Sequence, residues 1–394
     1  MHIRCTNGSP IVDMLNHLPP LQLFLEYYGH PLTEQDESGL YHALQLRDRV
    51  YRIDLSLPPS ILHKVFVLLD GQFPILEHLS LKFSATSKNS PPLTLPKAFL
   101  APTLRHLDLP SISPPRRLRV LTSTDTLVTL ELSNIKTSSY FRPRLLVARL
   151  LYLPLLEGLS IGFSIPIPRP SRERELLGEQ GAPVTLPSLK TLQFKGVGAY
   201  LESLVAQIRA PLLEQLSITL FNRITFALPH LSHLINITEV FKIPSAAVGF
   251  DHNEVDVTML GSKSASLVFR VMCQPMDWKI DCATQICHTF IPEISSVEQL
   301  TLHHEYRKIP TEWRNRTIDS AMWHDLLRSF IGLKELSVGN GLLEELSHAL
   351  QVDGVGSDPG FLPNLQFIKA EHNLFASFID ARQVVGRLVQ FSYW

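Results

Sequence analysis

Cysteine is scarce. Four thiols, Cys5, Cys273, Cys282 and Cys287, in 394 residues are too few to hold a chain of this size by disulfides, and they point to a reducing compartment. An excess of charge of either sign is also missing. Lys+Arg is 36 against Asp+Glu 37, a net charge of −1, so the basic footprint of a nucleic-acid binder is not there. Long apolar runs are absent as well. Leu145–Leu156 is broken by Arg149 and Pro154 and is too short to span a bilayer. Met1–Pro10 is polar and lacks the apolar core of a secretory signal. These absences predict a cytoplasmic or nuclear protein with no nucleic-acid and no membrane partner. Apolar residues make up 45% and charged residues 19% of the chain, a mixture that buries a core rather than staying disordered.

Metal and nucleophile chemistry is equally thin. Cys273, Cys282, Cys287 and His288 are spaced by 9, 5 and 1, without the Cys-x-x-Cys pairs of a structural zinc site. Cys287 instead fits one apolar helix face with Ile280, Ala283 and Phe290. Gly158-Leu-Ser160-Ile-Gly162 matches G-x-S-x-G, but that chemistry needs the serine on a strand-to-helix turn. Here Leu159 and Ile161 read as core positions of a strand. No phosphate-cradling glycine loop stands before a helix. The sequence therefore predicts no catalytic residue, no metal and no cofactor, with a serine hydrolase as the weakest alternative.

What the sequence does have is a repeat. Leu, two polar or small residues, Leu, one polar residue and an aliphatic or Phe recur, often with Pro two places earlier. The pattern appears as Pro74-Ile-Leu76-Glu-His-Leu79-Ser-Leu81, Pro102-Thr-Leu104-Arg-His-Leu107-Asp-Leu109 and Pro154-Leu-Leu156-Glu-Gly-Leu159-Ser-Ile161. It returns as Pro187-Ser-Leu189-Lys-Thr-Leu192-Gln-Phe194, Pro211-Leu-Leu213-Glu-Gln-Leu216-Ser-Ile218 and Pro363-Asn-Leu365-Gln-Phe-Ile368-Lys-Ala370. Copies without the proline end at Leu55, Leu132, Leu302 and Val338. From Leu55 to Ile218 the steps are 26, 28, 23, 29, 33 and 24 residues, at or near the 20–29 of leucine-rich repeats. Helical stretches lie between, such as Leu62, Val65, Phe66 and Leu69, or Trp323, Leu326, Leu327 and Phe330, spaced by three and four.

The expected fold is an α/β leucine-rich-repeat solenoid, a horseshoe with a parallel sheet on the concave face and helices or irregular segments on the convex face. Residues 1–45 read as an irregular N-terminal segment or a shortened first repeat, 46–375 as the solenoid, and 376–394 as a tail. The stretch 220–295 is degenerate. Strands at Ile237–Ile243 and Leu267–Val271 would keep the period, with Val255–Leu260 inserted, and a separate small domain is the alternative. Met1–Cys5 begins as a strand whose bare edge invites pairing, the expectation for an array truncated at its start.

The Pro-x-Leu-x-x-Leu-x-Leu units, with segments such as Leu186-Pro-Ser-Leu-Lys-Thr-Leu192, resemble the leucine-rich-repeat region of fungal, mushroom-type F-box-like proteins. The resemblance implies a substrate-recognition arm of a cullin-type ubiquitin ligase, with a cullin adaptor as partner only where an F-box lies upstream. Leu18-Pro19-Pro20 lacks the acidic residue that opens an F-box. A stand-alone scaffold or a truncated product without a ligase role is the alternative.

Strand alternation places the residues between the leucines on the opposite face. His78, Ser80, His106, Asp108, Thr129, Glu131, Ser160, Thr191, Gln193, Gln215, Ser217, Thr301 and Glu335 are the candidate contacts. They are polar and of mixed sign, suited to a folded protein partner rather than to a small molecule, which needs a closed apolar pocket.

Overall fold

A computed structural model of the chain describes residues 2–17, 19–28, 32–83, 94–112, 119–136, 139–166, 182–221, 228–238, 243–261, 265–273, 276–290, 294–304, 320–351, 358 and 360–393. The chain divides into two compact units, Met1–Leu212 and Leu213–Trp394. Each is an α/β leucine-rich-repeat array.

In the first unit the strands are β1 His2–Cys5, β2 Gln22–Tyr28, β3 Val50–Leu57, β4 His78–Phe83, β5 His106–Asp108, β6 Thr129–Ile135, β7 Gly158–Phe163 and β9 Thr191–Gly196. Each pairs in parallel with the next. Two short strands, β8 Val184–Thr185 and β10 Ile208–Arg209, form a separate parallel pair. The helices are α1 Ile11–His17, α2 Glu34–Gln45, α3 Pro59–Leu68, α4 Pro143–Leu150 and α5 Gly198–Val205.

The repeat period becomes a core through register. Leu25, Ile53, Leu79, Leu107, Leu130, Leu159 and Leu192 face one another strand by strand, and none is more than 1% exposed. The helices close this row from behind. Ile61, Leu62, Val65 and Phe66 form the buried stripe of α3, with Pro at its first position, where a missing N–H loses nothing.

The polar residue just before the first aliphatic of a repeat, with or without a preceding Pro, has a structural duty. Thr103 Oγ1 donates to the Pro74 carbonyl at 3.1 Å, Thr126 Oγ1 to Pro102 at 3.3 Å and Ser188 Oγ to Pro154 at 3.0 Å. In the second unit Ser296 Oγ donates to Ile243 at 3.1 Å and Asn364 Nδ2 to Ile331 at 3.0 Å. Each hydroxyl or amide thus reaches the turn carbonyl of a neighbouring coil, which the sheet leaves unpaired.

In the second unit the strands are β11 Gln215–Phe221, β12 Ser245–Phe250, β13 Glu254–Leu260, β14 Ser266–Met272, β15 Gln299–His304, β16 Glu335–Val338, β17 Phe367–Ala370 and β18 Gln390–Ser392. Their spatial order is β11-β14-β13-β12-β15-β16-β17-β18. Only β13 runs antiparallel to its neighbours. The helices are α6 Pro229–Asn236, α7 Met276–Thr289, α8 Ser320–Arg328, α9 Leu343–Leu350 and α10 Ala376–Val384.

Three expectations change. Residues 1–45 carry two paired strands and two helices. Thr33 caps α2 through a capping box with Asp36, whose carboxylate also accepts the Gly8 N–H at 2.7 Å. At the other end α10 and β18 continue the array, with β18 parallel to β17. The fully buried Arg382 of α10 donates to the Phe361 and Leu362 carbonyls at 2.8 and 2.9 Å. Periodicity from the leucines alone misses both ends, where Tyr27 and Phe391 stand in for repeat residues. Thirdly, of the strand expected at Ile237–Ile243, residues 239–242 lie outside the described residues, Ile237, Thr238 and Ile243 are not in a strand, and the next strand is β12. Pro229 starts a helix with Leu231, Leu234 and Ile235 buried, and it runs to Asn236. Val255–Leu260 is the inserted strand as expected.

The repeat register predicts that Leu107→Ala and Leu216→Ala each cost roughly 2–5 kcal/mol. Thr103→Val should cost only about 1 kcal/mol, the net worth of a hydrogen bond. Urea unfolding followed by circular dichroism measures both; a Leu107→Ala loss under 1 kcal/mol would refute the register.

Candidate interaction surface

On the solvent side of the first unit's sheet, strand register sorts side chains into two rows. One row reads Glu26, Asp54, Ser80, Asp108, Glu131, Ser160 and Gln193. The adjacent row reads Arg4, Phe24, Arg52, His78, His106, Thr129, Gly158 and Thr191. The first is acidic along four of its strands, and the second carries two arginines and two histidines.

The rows bind each other at the β2–β4 end. Arg52 Nη2 meets Asp54 Oδ2 at 3.1 Å and its Nε lies 3.5 Å from Glu26 Oε1. Arg4 lies 4.0 Å from Glu26, and His78 Nε2 lies 4.0 Å from Asp54. Lys82 Nζ reaches Asp108 Oδ2 at 2.9 Å, and Ser80 Oγ donates to the same oxygen at 3.0 Å. His106 Nδ1 lies 2.8 Å from Thr129 Oγ1, and the His78 and His106 rings are 5.6 Å apart. Burial accompanies this lattice: Asp54 is 9% and Ser80 only 2% exposed. Ser80, expected among the contacts, is therefore covered by its neighbours and offers nothing to a partner.

Compensation runs out toward β6. Asp108 Oδ1 is buried without a hydrogen-bond partner. Glu131 on the next strand has its carboxyl raised above the usual range by desolvation and then by the Asp108 charge, against the weaker pull of Lys82 and Ser133. The acidic row thus ends in a pair of carboxylates with a single nearby ammonium. Ser160 and Gln193 extend the row, and Ser160 stands in the middle of β7, away from any strand-to-helix turn.

The remaining candidates lie in the second unit. Gln215 pairs with Ser266, and that row reaches Gln299 and Glu335 across β13 and β12. Ser217 and Thr301 share the next row but are separated by Val268, Thr258 and Ala247. Three strands intervene, so Gln215 and Ser217 are not neighbours of Thr301 and Glu335. Glu335 is held by Lys369 Nζ at 2.7 Å. At Gly249 a Cβ would stand 2.2 Å from Asp256 Oδ1 and 2.9 Å from His303 Nε2. Glycine here lets the side chains of both flanking strands lean over the backbone.

Residues absent from the sequence-derived set begin both rows. Glu26 and Phe24 sit on β2. Phe24 stacks with Tyr51 at 5.2 Å and contacts His2 at 4.1 Å. The signal was the alternation in Gln22–Tyr28, where Leu23, Leu25 and Tyr27 are all buried. The four cysteines are all free and buried. Among the described residues no cluster of three metal-ligating side chains occurs, and no helix is long and apolar enough to cross a membrane.

No protein-family model matches the chain, and no curated protein matches it by sequence. Solved structures do. The chain resembles TLR13 in a TLR13–ssRNA13 complex at 14% identity and a TM-score of 0.39, covering 96% of this chain and 48% of that one. It resembles the leucine-rich repeat-containing protein LegL7 from Legionella pneumophila at 13% identity and a TM-score of 0.33, covering 97% of each chain. The chain thus spans about half the length of the TLR13 chain.

His78 makes the first unit sensitive to acid. Burial, and next Arg52, pushes its imidazole down to about 4; Asp54 and Asp108 oppose this and His106 adds to it. Below about pH 6.5 the unfolded chain takes up a proton that folded His78 refuses until about pH 4. Stability should therefore fall as pH drops through that window. Thermal unfolding of wild type and His78→Gln between pH 7 and 4 tests this: the variant should lose less in Tm. Identical slopes would overturn the assignment.

Proposed function

We propose that the chain is a non-enzymatic protein-interaction module whose partner docks on the sheet face of the first unit. The observation that carries this reading is the under-compensated end of the acidic row, Asp108 with Glu131, beside the flat polar stretch of Ser160, Thr191 and Gln193. A folded partner presenting a lysine or arginine would neutralise that end and lie along the neighbouring strands. The rigid parallel ladder keeps the ordering cost of such binding low. Opposite charges in adjacent rows give orientation and partner choice more than raw affinity.

Affinity purification with mass spectrometry, run in parallel on variants, tests the reading. Glu131→Arg with Gln193→Arg should remove the bound protein. Glu34→Arg with Gln35→Arg, exposed on α2 and making the same change of net charge, should retain it. If the helix pair loses the partner and the sheet pair keeps it, the docking face is wrong.

The resemblance of the Pro-x-Leu units supports a narrower version, in which the module selects substrates for a cullin-type ubiquitin ligase in the cytoplasm or nucleus. Co-purification of a cullin adaptor, kept in the Glu131→Arg, Gln193→Arg variant while the substrate is lost, is the expected result. Adaptor and partner lost together, or no adaptor at all, would leave the scaffold reading in its place.

A further inference from the structure

The outward face of α4 carries a surface that the sheet-face site does not use. Inward, α4 buries Pro143, Leu146, Val147 and Leu150, the single apolar stripe expected of a helix backing a repeat. Its other face is apolar too. Leu145, Leu151, Tyr152 and, in the turn that follows, Leu155 are between 48% and 61% exposed. At 3.6 residues per turn, Leu145, Ala148 and Tyr152 run down the middle of that face, with Arg144 along one edge and Arg149 along the other. The contrast with α2 is sharp, for its exposed positions are Glu34, Gln35, Ser38, His42 and Gln45. Leu155 also stands at the turn position where other coils carry the donors Thr103, Thr126 and Ser188. A contiguous apolar stripe bordered by charge on an otherwise polar exterior marks a contact surface.

We infer that the outward face of α4 is a second docking surface, and that its occupant is an acidic amphipathic helix of a partner protein. Charge selects that occupant. Arg142, Arg144 and Arg149 make no ion pair with a described residue, and α4 has no acidic residue in its first turn. Arginine meets a carboxylate through two parallel hydrogen bonds, a geometry lysine lacks. Glutamates or aspartates on both flanks of the occupant would therefore meet Arg144 and Arg149, while its apolar residues at i, i+3 or i+4 and i+7 lie over Leu145 and Tyr152. Backbone accounting selects the helix. The face of α4 offers no free strand edge, so whatever lies on it must satisfy its own backbone hydrogen bonds. Two copies of this face set together would oppose their arginines. An anionic lipid surface is held by clusters of about four to eight cations, more than α4 presents.

Selection of a displayed library of helical peptides, each about four turns long, on the full-length chain tests the inference. The enriched sequences should carry apolar residues at helical spacing with Asp or Glu on both flanks. Binding of the enriched peptides should weaken about tenfold on Arg144→Glu with Arg149→Glu, and again on Leu145→Ser with Tyr152→Ser. Both pairs change solvent-facing side chains, and circular dichroism checks that each variant folds. Glu131→Arg with Gln193→Arg should bind the same peptides unchanged, which separates this surface from the sheet-face reading. Enriched sequences that are basic or uncharged, or that bind both α4 variants as well as wild type, would overturn the inference. So would the absence of enrichment. Binding to phosphatidylserine vesicles but to no peptide would make a lipid surface the occupant instead. A concentration-dependent dimer lost in Leu145→Ser with Tyr152→Ser would make it a second copy of the chain, and either result sinks the acidic helix.

Discussion

One row of apolar side chains, held in strict register from strand to strand, is the constraint on which each unit depends. A β-strand alternates its faces, so a leucine fixed inward fixes its neighbours outward. Leu79, Leu107, Leu130, Leu159 and Leu192 face each other directly. His78 and Ser80, or Thr191 and Gln193, therefore have no freedom over which surface they occupy. A slip of one residue would bury Asp108 and Glu131 and expose the leucines, at a cost far beyond what any surface ion pair returns. The polar ladder from Thr103, Thr126 and Ser188 to the turn carbonyls secures the same register from the end of each strand.

That register also explains why the surface charges form a lattice rather than scattered pairs. In a parallel sheet, equivalent positions of successive repeats are about 4.8 Å apart. An acidic residue recurring at one position builds an anionic row, which is tolerable only beside cations at the adjacent position. Arg52 and Lys82 supply them to Glu26, Asp54 and Asp108. On β7 and β9 the positions beside Ser160 and Gln193 are held by Gly158, Thr191, Gly162 and Lys195, so the lattice thins and Glu131 is left with a raised carboxyl.

Most of the array was legible because Leu-x-x-Leu-x-Leu couples strand period to core burial, and such coupling survives variation at every other position. What escaped did so for a physical reason. On β2 the inward residues are Leu23, Leu25 and Tyr27, an alternation in which the preceding Pro19-Pro20-Leu21 does not continue with the x-x-Leu-x-Leu spacing of the other repeats. The sheet accepts it because Tyr27 fills a core position with its hydroxyl turned inward. In α10 the buried Arg382 ties the helix to a turn by carbonyl contacts, a polar anchor that no hydrophobic pattern reveals. Of the surface, alternation gave the face of every candidate. It could not give burial by neighbours, which removes Ser80, nor the three-strand separation of Ser217 from Thr301.

That separation has its own logic. A reversed strand can enter a parallel sheet and leave the flanking strands parallel only if it stands between two strands of the original direction. Here β12, β13 and β14 form a meander that runs back toward β11, so β14 pairs with β11 and β12 with β15. The chain must then recross the width of three strands, about 14 Å at sheet spacing. The 14 residues of α7, about 21 Å long, make that crossing. A helix crossing a meander passes over the β12–β13 turn and its backbone carbonyls. Lys279 donates to those of Asp251 and His252. A buried ammonium is expensive without several acceptors. The turn provides two, so the crossover that the insertion demands also brings the buried cation to the acceptors it needs.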